Sequence, residues 1–252
     1  KLNSYYLLYH YATGRFGQER ATDLLTSILD GNIYFHDAAS AQIPYCMAYS
    51  TSFIMFDGRQ YGQLHSLPPK RANSFLAQVT ETTMDLSQSY AGAIAISDLI
   101  VNFCYYAQKE QLDDYSIINL FQQFIHVMSN KFRVGGQSPF TNLSIFDRPN
   151  LQKVFANHIY PDGSKPDIEY IIHVQKIFAE WFAKGDPVSG LPYRFPIVTM
   201  NISCDDNKNI IDQEFLDWVS NVNLAKGTFN IYVNSGEKLA SCCRLINDES
   251  RM

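Results

Sequence analysis

Apolar runs long enough to span a membrane, basic clusters and a regular cysteine framework are all missing from this 252-residue chain. Each absence removes a class of function. The most apolar stretch, Ala91 to Ala107, is broken by Ser97, Asp98 and Asn102 and is too short to cross a bilayer. The formal net charge is -5 and no Lys/Arg run occurs, so nucleic acid is not held by a global electrostatic field. Five unevenly spaced cysteines do not make a secreted disulfide framework, and the polar, aromatic opening Lys1-Leu2-Asn3-Ser4-Tyr5-Tyr6 is not a secretory signal. The expectation is a soluble chain of a reducing cytoplasm. No repeat or low-complexity segment appears, nor do the P-loop GxxxxGK[ST], the dinucleotide-binding GxGxxG, the GxSxG elbow, the HExxH zinc motif or the cysteine-protease signatures. The chain also opens without methionine and stops after Arg251-Met252, which reads as a piece of something longer.

What is present is a globular composition, 46% hydrophobic and 14% aromatic, in a chain long enough to bury a core. Ile117, Leu120, Phe121, Phe124, Ile125 and Met128 follow the i, i+3, i+4 spacing of an amphipathic helix, as do Ile168, Ile171, Ile172, Phe178, Trp181 and Phe182. Segments 18–30, 70–84, 87–108 and 212–225 read as further helices, with Gly31 and Gly227 placed as caps beyond two of them. Residues 43–56, 196–203 and 228–233 read as strands bounded by Gly, Pro and Asp. Long helical stretches between so few strands predict α/β crossovers in an incomplete α/β assembly of three or four strands.

Four places carry candidate chemistry. Cys242-Cys243, inside Ser241-Cys242-Cys243-Arg244-Leu245, follow a strand-like run and precede a cation. Adjacent cysteines do not easily share a disulfide and do not fit a CxxC site. They read either as reactive thiols or as two small buried hydrophobes. His36-Asp37, in Gly31-Asn32-Ile33-Tyr34-Phe35-His36-Asp37, orients a proton carrier or ties down a loop, and Cys46 follows within a strand. Arg133-Val134-Gly135-Gly136-Gln137-Ser138-Pro139-Phe140-Thr141-Asn142 combines two glycines with uncharged donors and reads as a structured turn after a helix, or as a ligand loop. Asn201 sits in the apolar strand Phe195–Ile202, satisfied by backbone or aimed into a polar cavity. Cys104 and Cys204 read as packing residues.

In this order, these segments, together with Ala91-Gly92-Ala93 read as a helix start, closely resemble the anaerobic (class III) ribonucleoside-triphosphate reductases. The resemblance implies the N-terminal half of a ten-stranded α/β barrel with a finger loop near 236–246. It implies reduction of ribonucleoside triphosphates by thiyl-radical abstraction of the 3′ hydrogen. Cys243, directly before Arg244, would be the radical cysteine, with Cys242 the alternative, and Cys46 the early-strand thiol that delivers reducing equivalents. His36, Gln137, Ser138, Thr141, Asn142 and Asn201 would contact substrate. The family's glycyl radical, zinc site and ATP cone match nothing in these residues, so the chain is expected to be inactive without its other half. Formate or a dithiol as reductant, a radical-SAM activase, deoxynucleotide or ATP effectors bound near 70–108, and a homodimer complete what the resemblance implies. A pyruvate formate-lyase type of glycyl-radical enzyme, or a non-catalytic nucleotide-binding or assembly module, are the other readings.

Overall fold

Five parallel strands, laid down in chain order, form the frame of the molecule. The computed structural model describes residues 2–34, 44–133, 136–224, 226–235, 238–240 and 246–248. Two helices come first, α1 (Leu2–Phe16) and α2 (Gln18–Leu29), packed as a hairpin. The sheet contains β1 (Met47–Ala48), β4 (Ala93–Ala95), β5 (Phe140–Phe146), β6 (Ile197–Ser203) and β7 (Asn230–Asn234), in that spatial order. Between β1 and β4 run the short helix α3 (Ser52–Asp57), an antiparallel pair β2 (Arg59–Tyr61) and β3 (Leu64–Ser66), and the long helix α4 (Ala72–Ser89). Helices α5 (Leu99–Lys109) and α6 (Asp114–Met128) lead to β5, α7 (Arg148–Val154) and α8 (Ile168–Lys184) to β6, and α9 (Gln213–Leu224) to β7. A last antiparallel pair, β8 (Lys238–Ala240) and β9 (Ile246–Asp248), follows, with the backbone of β8 close to that of β6.

The order of the strands decides the shape. Each parallel connection takes the same hand, so a sheet that grows in one direction collects its helices on one face. Strand alternation supplies that face with Ile94, Leu143, Ile145, Val198, Met200 and Ile202, all fully buried. Helix α5 lies deepest, with every residue from Leu99 to Ala107 buried, which is why its sequence is apolar on all sides. Phe103 on α5, Phe121 on α6 and Phe178 on α8 interlock, ring centroids 4.6 Å and 4.9 Å apart. Gln175 fastens α8 to the sheet: its side-chain amide both donates to the Phe146 carbonyl and accepts from the Phe146 N–H, each at 2.9 Å.

Several expectations change. The stretch 87–108 is not one helix. Its first residues end α4, Ala93–Ala95 form β4, and only Leu99 onward is helical. Short apolar runs look alike as buried helix and buried strand, and here pairing with β1 and β5 decides. Ala91-Gly92-Ala93 therefore enters a strand rather than starting a helix. The strand expected over 43–56 shrinks to two residues. The chain turns at Ser50-Thr51 because the buried Asp98 carboxylate takes the Thr51 N–H (2.9 Å), the Thr51 hydroxyl (2.9 Å) and the Ser50 hydroxyl (2.6 Å), and α3 follows. The sheet has five strands rather than three or four, because β4 was read within a helix and the start of β5 as part of a loop. The helices read at 18–30 and 212–225 and the strands at 196–203 and 228–233 are present within two residues. Gly31 and Gly227 adopt φ of +76° and +59° just beyond α2 and α9.

Candidate functional site

The face of the sheet turned away from the helices carries small and polar side chains through its middle, with Phe140 and Phe146 at the two ends of β5 and Ile197 at the start of β6. Its rows are Ala93 and Ala95 on β4, Asn142 and Ser144 on β5, Thr199, Asn201 and Ser203 on β6, and Tyr232 and Asn234 on β7. The alternation is legible in the middle of Phe-Thr-Asn-Leu-Ser-Ile-Phe, at Asn142 and Ser144, and in Ile-Val-Thr-Met-Asn-Ile-Ser from Thr199 on, where Thr199, Asn201 and Ser203 alternate with Met200 and Ile202. Cys46 stands one residue ahead of the Met47–Ile94 register, so the pleat puts it on the same face as Ala48, Ala95 and Asn142. One strand, β4, lies between β1 and β5, so two strand spacings separate them, roughly 10 Å.

Cys46 is half-buried, and its sulfur accepts the Ala93 N–H at 3.3 Å. Gly92 makes this approach possible. A Cβ there would fall 2.7 Å from Cys46 Sγ and 2.6 Å from the Tyr45 carbonyl oxygen. Cys104 is fully buried and its thiol is pushed well up by burial, the behaviour of an inert core cysteine, and Cys204 is buried too.

Asn142 donates to Thr199 Oγ1 at 3.1 Å, and its own oxygen has no partner among the described residues. Asn201, fully buried, donates at 3.3 Å to the carbonyls of Ile145 and Thr199, and its oxygen is equally unmatched. Two buried amide oxygens on one face with nothing to accept from are costly unless a ligand group or further chain meets them. Where the polar rows end, Asp147 is fully buried and accepts from Ser203 N (2.5 Å), Ser203 Oγ (2.8 Å) and Asn150 N (2.9 Å), capping α7 and tying β5 to β6. Burial pushes its carboxyl above the ordinary carboxylate range, against the pull of those bonds.

The expected site residues thus divide. Cys46, Asn142 and Asn201 share the polar face. Thr141 registers with Ile94 and lies on the helix side, its hydroxyl buried without a partner among the described residues. Gln137 is exposed in the turn before β5, and Ser138 gives its hydroxyl to the Ser129 carbonyl at 2.8 Å, holding that turn to the end of α6. His36, Cys242 and Cys243 lie outside the described residues. The two cysteines fall in the segment 241–245 that β8 and β9 bracket. Ser144, Thr199, Ser203 and Asp147 were missed. The period-two pattern would have found the first three, and the Asp-Arg-Pro helix start the fourth. Among the described residues no three His, Cys, Asp or Glu side chains gather to hold a metal ion. Nor is any described helix long and apolar enough to cross a membrane.

Comparison with known proteins fits this geometry. The family model for anaerobic ribonucleoside-triphosphate reductase matches residues 12–252. No curated protein matches. The anaerobic ribonucleotide reductase of Thermotoga maritima with citrate in its active site is 26% identical, with a TM-score of 0.77 over 93% of this chain and 43% of that one. The same enzyme in complex with dATP and CTP gives 26% and 0.79 over 92% and 40%, and with dATP in its specificity site 26% and 0.78 over 93% and 41%. This chain spans about two fifths of the length of those structures.

Proposed function

We propose, from the premise that this chain belongs to the anaerobic ribonucleoside-triphosphate reductase family, that it forms the N-terminal part of a catalytic barrel converting ribonucleoside triphosphates to deoxyribonucleoside triphosphates. The observation that carries the reading is the polar face, with Cys46 at the head of β1 and unmatched amide oxygens on Asn142 and Asn201. Such a face, opposite a helix-packed apolar one, suits a ribose ring with its hydroxyl donors.

In this reading the family's glycyl radical supplies the one-electron oxidation that makes a thiyl at Cys243, with Cys242 as alternate. The thiyl takes the 3′ hydrogen, and the 2′ hydroxyl leaves as water. Overall the reduction consumes two electrons and two protons, which formate or a dithiol supplies, and Cys46 passes hydrogen to the substrate. Asn142 and Asn201 accept from ribose hydroxyls, while the apolar strand layer behind them keeps bulk water out. His36, Gln137, Ser138 and Thr141 are assigned to the wider substrate surround, Thr141 from behind the sheet and Ser138 by fixing its turn. A radical-SAM activase, the C-terminal part of the reductase, nucleotide effectors, a homodimer and a cytoplasmic setting belong to the same proposal.

The test is anaerobic turnover with the complementary C-terminal part, activase, reductant and a ribonucleoside triphosphate. Cys243→Ala and Cys46→Ala are expected to abolish deoxynucleotide formation. Full activity in both would sink the assignment.

A further inference from the structure

Arg133 reaches the head of β4 from the turn that precedes β5. Its Nε donates to the Ser87 carbonyl (3.1 Å), Nη1 to Ala91 (3.0 Å) and Nη2 to Gly92 (2.5 Å), with its guanidinium 5.3 Å from the centroid of the Phe140 ring. A tight turn holds its backbone: Arg133 N–H donates to the Gln137 carbonyl and Gly136 N–H to the Arg133 carbonyl, both at 3.0 Å. The Gly92 carbonyl belongs to the same peptide unit as the Ala93 N–H that points at Cys46 Sγ. That unit is trans, so its C=O and N–H point in opposite directions.

We propose that Arg133 is a positioning residue for Cys46, acting through the Gly92–Ala93 peptide. The cation fixes the carbonyl on one side and thereby aims the N–H at the sulfur on the other. It also draws charge from the amide, which strengthens the donor at the far end. A stronger N–H bond favours electron density on sulfur, the form in which a thiol reacts. Gly92 is part of the device, because any side chain there would occupy the space of the sulfur. The catalytic meaning of this coupling rests on the reductase reading; the coupling itself does not.

The test is the rate of iodoacetamide labelling of the folded chain at fixed pH, read at Cys46 by peptide mass spectrometry, with buried Cys104 and Cys204 as gauges of opening. Arg133→Met is expected to slow Cys46 labelling about fivefold, the scale of one net hydrogen bond. Arg133→Lys, which keeps the cation and loses the fork, recovers part of the rate. Simple loosening of the fold would move the rate the other way. An unchanged or faster Cys46 rate in Arg133→Met, with Cys104 still protected, overturns the proposal. If Cys104 labelling shows that Arg133→Met has not folded, Arg133→Lys decides alone: slower than wild type supports it, equal or faster overturns it. Turnover is not needed for this readout. Deoxynucleotide formation retained by Cys46→Ala would therefore remove the catalytic role and leave the coupling, whereas unchanged labelling removes the coupling alone.

Discussion

Replacing Asp147 by alanine strips one buried acceptor from three donors at once. Ser203 N–H, Ser203 Oγ–H and Asn150 N–H all converge on its carboxylate within 2.9 Å. A buried donor left unpaired costs about 1–3 kcal/mol, and loss of a helix cap about 1 kcal/mol. Removing a carboxylate that burial already disfavours offsets part of this. The expected net loss is about 3–4 kcal/mol, a large share of a typical stability of about 5–15 kcal/mol. Urea unfolding monitored by circular dichroism measures it as a lower midpoint at unchanged slope. The carboxyl also has a pH signature. Its folded pKa is raised, so the folded chain holds this proton more readily than the unfolded one, whose value is about 3.9. Its contribution therefore grows as pH falls into the window between those two values and disappears as pH rises through the folded one. Asp147→Asn keeps one acceptor oxygen, is expected to cost less than alanine, and loses that pH term. A cost below about 1 kcal/mol for Asp147→Ala would refute the view that this carboxylate ties β5 to β6.

His158 responds to acid in the opposite way. Burial against Phe155 and Tyr160 lowers its pKa, and its Nε2 has no partner among the described residues. The unfolded chain takes up this proton near pH 6.5 while the folded one resists, so stability falls as pH drops from about 6.5 through the lowered value. His158→Phe is expected to flatten that part of a Tm-against-pH curve, and an unchanged slope would contradict it. Asn201→Leu should separate stability from function. It removes an unmatched buried oxygen and two long hydrogen bonds, so the urea midpoint is expected to hold or rise while deoxynucleotide formation falls at least about tenfold. Strong destabilisation with normal turnover would mean that Asn201 is a structural residue.

The periodic parts of the molecule were readable because one face of each was buried in a continuous core. Helices α6 and α8 announced themselves through Phe121, Ile125 and Phe178 at helical spacing, and β6 through its bounded apolar run. Helix α5 and strand β4 were fused into one helix because both fall in one nearly continuous apolar run, and three residues of strand are too few to show a period of two. Strand β5 was lost in a glycine-containing loop that in fact ends before Phe140. Cys46, Asn142 and Asn201 could be named from sequence, but not as members of one face.

By itself the sequence determined the chemistry on offer: which residues bear thiols and amides, the order of motifs that marks the family, and the absence of charge or apolar runs suited to nucleic acid or membrane. Only the tertiary structure decided which of those groups meet. Register puts Asn142 on one face with Thr199, its diagonal neighbour, and turns Thr141 to the helix side, because one residue of slip along a strand reverses every side chain. The grip of Arg133 on Gly92, forty-one residues away in sequence, and the gathering of Ser203 by Asp147, fifty-six away, have no local signature. Each is a hydrogen bond made at the end of a crossover, where chain separation is large and only the packed sheet brings the partners within reach.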